Sequence, residues 1–370
     1  MKAVRTEIAI TGIAAISSAG VGLDPLKETL RSGISALRPV PVDLAGEEGH
    51  VWGRAEGFKA SDFMSPLKAR KFDRCSLFAV VAAGMALKDA GLDPAAFGSS
   101  RVGIALGCGF GGIANSEDFL RGYLGKGTDG LVPMLFPNTV PNAPASNASI
   151  EHGLKGPNVT FVQRFCSAEA AFQMACRFLE EDRADIMLTG GVDELQPFMI
   201  EAFRKVGQLR RYAAGFSEGA GILVVEKGEV ARKRGVRIRA MAGDIRSVGR
   251  LLPGREAEGI DRIFCPESKP QLVSLSGVAG EVKSILERLP NVPRLETGRL
   301  LGRSLAMGGL SLVSLLVSLS PGFSAVHYAA SPEGPYYYQD KQSVRIDGNA
   351  GDTAERQWPV GNSRRHGGQG

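Results

Sequence analysis

A cysteine stands where a strand gives way to a helix in "VTFVQRFCSAEAAFQMACRFLEEDRADIMLTGG", residues 159–191. Thiols at helix entrances are the reactive ones. The N-terminal peptide dipoles favour a thiolate, and the unpaired amides there can later hold an oxyanion. Cys166 is therefore a candidate nucleophile; its other reading is a small buried thiol on the first turn. Acid–base partners are scarce, since the chain carries only four histidines. His366 lies in a polar tail, His50 in a polar loop, and His152 at the helix exit "EHGLKGP". His327, in "FSAVHYAA", reads as a satisfied core or edge histidine on a strand.

A second candidate, "GCGFGG" (107–112), matches G-x-G-x-x-G between a strand and a helix, the setting of a pyrophosphate cradle. Twenty residues on, the chain runs "YLGKGTDGLVPM", a loop with no strand ending in a ribose-binding acid. Close backbone packing is the better reading, and no cofactor is expected. The five cysteines (75, 108, 166, 176, 265) have no paired spacing, so neither a disulfide framework nor a metal site is indicated.

The elements that must position these residues alternate short β-rich runs with helical periodicity, which predicts an α/β sheet with helices on its faces. "EIAITGIAAIS" (7–17) reads as the first strand and "DRCSLFAVVAAGMALKDAGL" (73–92) as a helix ending at Gly91. "MLFPNTVPNAPASNASIEHGL" (134–154) starts as a proline-rich loop and runs into a helix; "GFSEGAGILVVEKGEVARKRG" (215–235) is loop, strand and basic helix. The second half repeats this grammar, so residues 164–191 and 301–330 look like distant copies of one unit. Expected boundaries are 1–235 for the first half, 236–346 for a shortened second half, and a disordered tail over 347–370.

With 44% hydrophobic and 22% charged residues, the composition is that of a soluble globular protein, expected in the cytoplasm. The apolar runs are too short to span a bilayer. A net charge of +5 is too mild and dispersed to predict nucleic-acid binding, although a basic patch could dock an acidic partner.

Taken together, "ITGIAAISSAG", "GCGFGG", "FPNTVPNAPASNASIEHGLKGPNVT" (136–160), "ADIMLTGGVDE" (184–194) and the glycine-rich 215–235 segment resemble the β-ketoacyl synthase family in the family's order. The resemblance covers residues 5–240 well and 241–340 poorly. It implies a thiolase-like fold, two pseudo-repeated α/β halves in an α-β-α-β-α stack. It also implies acyl transfer from an acyl carrier protein to a cysteine, followed by condensation assisted by two histidines.

Laid on the family pattern without a gap, the nucleophile's position falls on Phe165, with Cys166 one later; Cys166 fits only if the turn gains a residue that the helix loses. The first family histidine falls on Ser276 in "VSLSGVAGE", and the second on Arg303, or less well on Arg299. Arginine stays protonated and cannot act as a general base. The resemblance then points to the branch of condensing-enzyme subunits that have lost the nucleophile, often called chain length factors. Such a subunit would pair with an active ketosynthase, receive its chain from an acyl carrier protein, and shape the acyl tunnel; a homodimer is also possible. On that reading Phe165 fills the acyl pocket, Gln163 and Arg164 replace small residues beside it, and Phe136, Asn138 and Pro141 are tunnel or interface candidates. The segment carrying these last three reads equally well as a surface loop. The alternative is an active acyltransferase that uses Cys166. No nucleic acid, membrane or metal partner is expected.

Overall fold

The computed structural model describes residues 6–211, 215–249, 255–264, 269–277, 283–330 and 341–349. Cys265 and the segment 331–340 lie outside them.

Ten strands carry the fold: β1 Ile8–Ser17, β2 Val102–Cys108, β3 Asn158–Phe161, β4 Ile186–Asp193, β5 Gly219–Lys227, β6 Ala240–Val248, β7 Leu272–Gly277, β8 Arg294–Glu296, β9 Ser324–Ala330 and β10 Lys341–Gly348. Their spatial order is β8-β7-β9-β10-β6-β1-β5-β4-β2-β3. The two halves have the same wiring. In the first, β1 is antiparallel to β5, β5 to β4, and β4, β2 and β3 run parallel. In the second, β6 is antiparallel to β10, β10 to β9, and β9, β7 and β8 run parallel. The repeat expected from element order is thus present strand for strand. The halves join where Ile8–Ile10 of β1 pairs with Ala240–Ala242 of β6. Because β10 runs through Gly348, Asp347 and Gly348 belong to the sheet rather than to the tail expected from Asp347; residues 350–370 lie outside the described residues.

Seven helices matter for the site: α1 Arg74–Asp89, α2 Ile113–Lys126, α3 Ala143–Glu151, α4 Ser167–Glu180, α5 Pro197–Lys205, α6 Glu256–Ile263 and α7 Gly308–Ser318. Side chains alternate across each strand. Ile104 and Leu106 of β2 pack outward with Phe78 and Ala82 of α1 and Ala148 of α3, while Ala105 faces inward. The inward core joins Phe172 and Leu179 of α4 and Leu312 and Leu315 of α7 to strands of both halves. On the far face, Val273 of β7 and Val326 of β9 pack with Ile260 and Ile263 of α6. Three cores between five layers give the α-β-α-β-α stack. Strands covered on both faces read as continuous apolar runs, which is why all of "IAITGIAAIS" is buried.

The central helices enter at very close range. A Cβ on Gly221 of β5 would lie 2.2 Å from the carbonyl carbon of Gly309 in α7, so only glycine allows backbone-to-backbone contact there. Among the described residues no helix is long and apolar enough to cross a membrane.

Candidate functional site

The entrance to α4 is a sharp turn. Arg164 adopts φ 52°, a left-handed conformation uncommon for a residue with a Cβ, and Arg164–Cys166 forms a single 3-10 turn before the helix. Ser167 clamps the turn: its Oγ donates to the Arg164 carbonyl (2.6 Å) and accepts the Gln163 amide (2.9 Å). Phe165 and Cys166 then part company. Phe165 lines a cleft, whereas Cys166 is fully buried and is not among the lining residues.

The cleft gathers at the carboxyl ends of β2 and β4, where ligand sites of parallel sheets form. Its apolar wall includes Phe110 after β2, Met199 and Phe203 on α5, and Phe216. Phe203 stacks on Phe216 with ring centroids 4.4 Å apart, and Phe110 meets Phe203 edge-on at 6.4 Å. Arg303 forms part of the lining. Its backbone is fixed by its own amide donating to Gly215 O (3.0 Å) and by the Ser217 amide donating to its carbonyl (2.8 Å).

Two buried acids complete the cleft. Asp193, the last residue of β4, accepts the amides of Gly109 and Ala306, both at 2.7 Å, tying the glycine turn to the approach of α7. Burial pushes its carboxyl up to about 6 against those hydrogen bonds. Glu194 accepts the amides of Ala114 (2.7 Å) and Cys75 (3.1 Å). Burial, reinforced by the charges of Asp73 and Glu218, pushes it up to about 7. The glycine turn is therefore a packing element: a Cβ on Gly109 would sit 2.8 Å from the Asp193 carboxylate, and one on Gly107 would sit 2.4 Å from the Ala168 amide nitrogen.

Ser276 lies elsewhere, on the second-half side of α4. Its hydroxyl donates to Glu169 Oε1 (2.7 Å), and His327 Nε2 meets the same oxygen at 2.8 Å. His327 Nδ1 lies 3.1 Å from Ser274 Oγ. None of Glu169, Ser274 or His327 is exposed, so His327 is the satisfied core histidine its strand suggested. His152 is likewise occupied, with Nε2 2.8 Å from Val80 O.

Of the residues singled out from sequence, the structure thus brings Phe165 and Arg303 to one cleft and sets Cys166 and Ser276 apart from it. Gln163 and Arg164 shape the turn. Phe136 is exposed in the 3-10 run Pro133–Asn138, and Pro141 is half-buried. Asn138 is buried, donating to Lys71 O (2.9 Å) and accepting from Asn147 (3.0 Å), so it fastens this segment to its neighbours. None of these five is in the cleft lining. Asp193 and Glu194 escaped the sequence reading. Their only signal was a pair of acids set in an otherwise apolar stretch, "TGGVDELQP".

Residues 5–231 match the family model described as "Beta-ketoacyl synthase, N-terminal domain". The chain belongs to the β-ketoacyl synthase family. Among curated members, it is 29% identical over 250 residues to 3-oxoacyl-[acyl-carrier-protein] synthase 2 of Staphylococcus aureus (strain COL), covering 63% of this chain and 60% of that one. It is 28% identical over 264 residues to the synthase of the same name from Vibrio cholerae, covering 65% and 64%. The chain thus spans less than two thirds of the length of these relatives. Solved ketosynthase structures share its fold. One, from a type II polyketide synthase in complex with its acyl carrier protein, superposes with a TM-score of 0.77 at 19% identity, over 93% of this chain and all of that one. The ishigamide ketosynthase/chain length factor gives 0.76 at 21%, covering 93% and 99%. The thiolase-like stack of this ketosynthase-family chain is therefore the fold its sequence pointed to. Among the described residues, no group of three or more histidine, cysteine or acidic side chains is placed to hold a metal ion.

Proposed function

We propose that this chain is a ketosynthase-fold subunit that has lost condensing activity. It acts as a chain-length-factor-type partner of an active ketosynthase in polyketide, polyene or fatty-acid biosynthesis, on chains delivered by an acyl carrier protein. One observation carries the reading: the side chain facing the cleft from the mouth of α4 is the ring of Phe165, not a thiol. The rest of the lining supports it. Arg303, where the resemblance puts the second family histidine, is a permanent cation, and among the described residues no imidazole lines the cleft. Condensation needs a thiolate and proton-transfer groups within hydrogen-bond reach of one reacting centre. The cleft's phenylalanines and Arg303 offer volume and shape instead, while its two acids, Asp193 and Glu194, are taken up by backbone amides.

The second reading, an active acyltransferase using Cys166, draws on the curated relatives' being synthases and on the thiol's place at a 14-residue helix entrance. Intact-protein mass spectrometry after incubation with acyl-loaded carrier protein separates the two. The expected result is no adduct on the natural protein. An adduct that disappears in Cys166→Ala would make Cys166 a working nucleophile. Co-expression with a ketosynthase partner should yield a 1:1 complex, whereas a stable homodimer unaffected by the partner would speak against the subunit role.

A further inference from the structure

The α4 helix carries a buried carboxylate that neither the cleft nor the proposed function uses. Glu169 is wholly buried, and its Oε1 is held by Ser276 of β7 and by His327 of β9. A third element makes room for it: a Cβ on Gly308, the first residue of α7, would lie 2.1 Å from Glu169 Oε1. The carboxylate thus sits against the N-terminus of an 11-residue helix, the favourable end of its dipole. Burying a carboxylate is costly, and an apolar residue would fill the same space without that cost. A polar group kept in such a place is best explained by what it fixes.

What it fixes is rotation. Successive helical residues point about 100° apart. Phe165 and Cys166 lie in the 3-10 turn that feeds α4, and Glu169 lies in the first turn of α4 itself. Turning the entrance of α4 by one residue would exchange the two side chains at the cleft. Glu169 cannot follow that turn without leaving both His327 and Ser276. We infer that Glu169, His327 and Ser276 form a buried latch that sets the rotation of α4, keeping Phe165 in the cleft and Cys166 out of it. These are positioning residues: they act on which side chain reaches the cleft, and they do not touch it themselves.

The latch rests on the reading that Phe165 holds the nucleophile's place. Iodoacetamide labelling read by peptide mass mapping tests it on the full chain. Glu169→Leu should speed alkylation of Cys166 at least tenfold, while Cys176, buried on the same helix, stays protected. Glu169→Gln, which keeps an oxygen for both partners, should restore slow labelling. His327→Leu and Ser276→Ala cut the latch from the other side and serve if Glu169→Leu does not fold. Unchanged labelling of Cys166 in folded variants overturns the latch. So does labelling of Cys166 and Cys176 together, which would report general loosening. Acylation of Cys166 in the natural protein would instead defeat the inactive-subunit reading, whatever the variants do.

Discussion

Phe165→Ala will open the cleft and weaken the fold by about 3 kcal/mol, the low end for deleting a buried aromatic ring. The ring is 2% exposed and packs in one cluster with Leu195, Met199 and Phe216. Its loss leaves a void continuous with the cleft, so solvent can enter and the cost stays below that of a sealed cavity. The same variant should bind a fluorescent fatty-acyl probe more tightly, because longer chains then fit. Urea melts and probe titration measure the two effects on one sample. A stability loss without any gain in probe binding would mean that the ring is core packing and not the stop of an acyl site. Phe165→Cys extends the test. A thiol there faces the cleft at the entrance of a helix, where the dipole favours the thiolate, and it should be alkylated faster than Cys166.

The scaffold was legible because its signals are local. "IAITGIAAIS" and "GGLSLVSLLVSL" carry no charged residue and only hydroxyls among their apolar side chains, which suits a strand covered on both faces and a helix between two sheets. The duplication could be read from element order because each half places its central helix, α4 or α7, between its third and fourth strands. The site was legible only at Phe165 and Arg303, whose positions follow from motifs. The groups that decide its electrostatics were not. Asp193 and Glu194 take their meaning from amides at Gly109, Ala306, Ala114 and Cys75; Glu169, outside the cleft, takes its own from a histidine 158 residues away. Contacts of that separation leave no periodicity in the sequence. An acid inside an apolar run marks that something must satisfy it, without saying what.

Those acids should make the protein less stable as pH rises through neutrality. In the unfolded chain, aspartate and glutamate titrate near 4. In the fold, desolvation raises Glu194 to about 7 and Asp193 to about 6, and raises Asp73 as well. From about pH 4.5 upward the folded state therefore holds protons that the unfolded state has released, and the unfolding free energy falls with pH until Glu194 has ionised. A displacement of this size corresponds to roughly 3 kcal/mol from Glu194 alone. The opposite sign applies to Asp185, held down to about 2 by Arg101 and Lys227: its contribution is present above the ordinary carboxylate range and is lost in acid. Stability should thus peak near pH 4.5 and decline towards pH 8. Glu194→Gln isolates the cause. The amide presents only one acceptor to the two backbone donors of Ala114 and Cys75, so the variant should be weaker at pH 5. Its urea midpoint should then change much less between pH 5 and 8 than that of the natural protein. If both lose the same amount over that interval, the titrating group is not Glu194, and the cleft carries its acid already ionised.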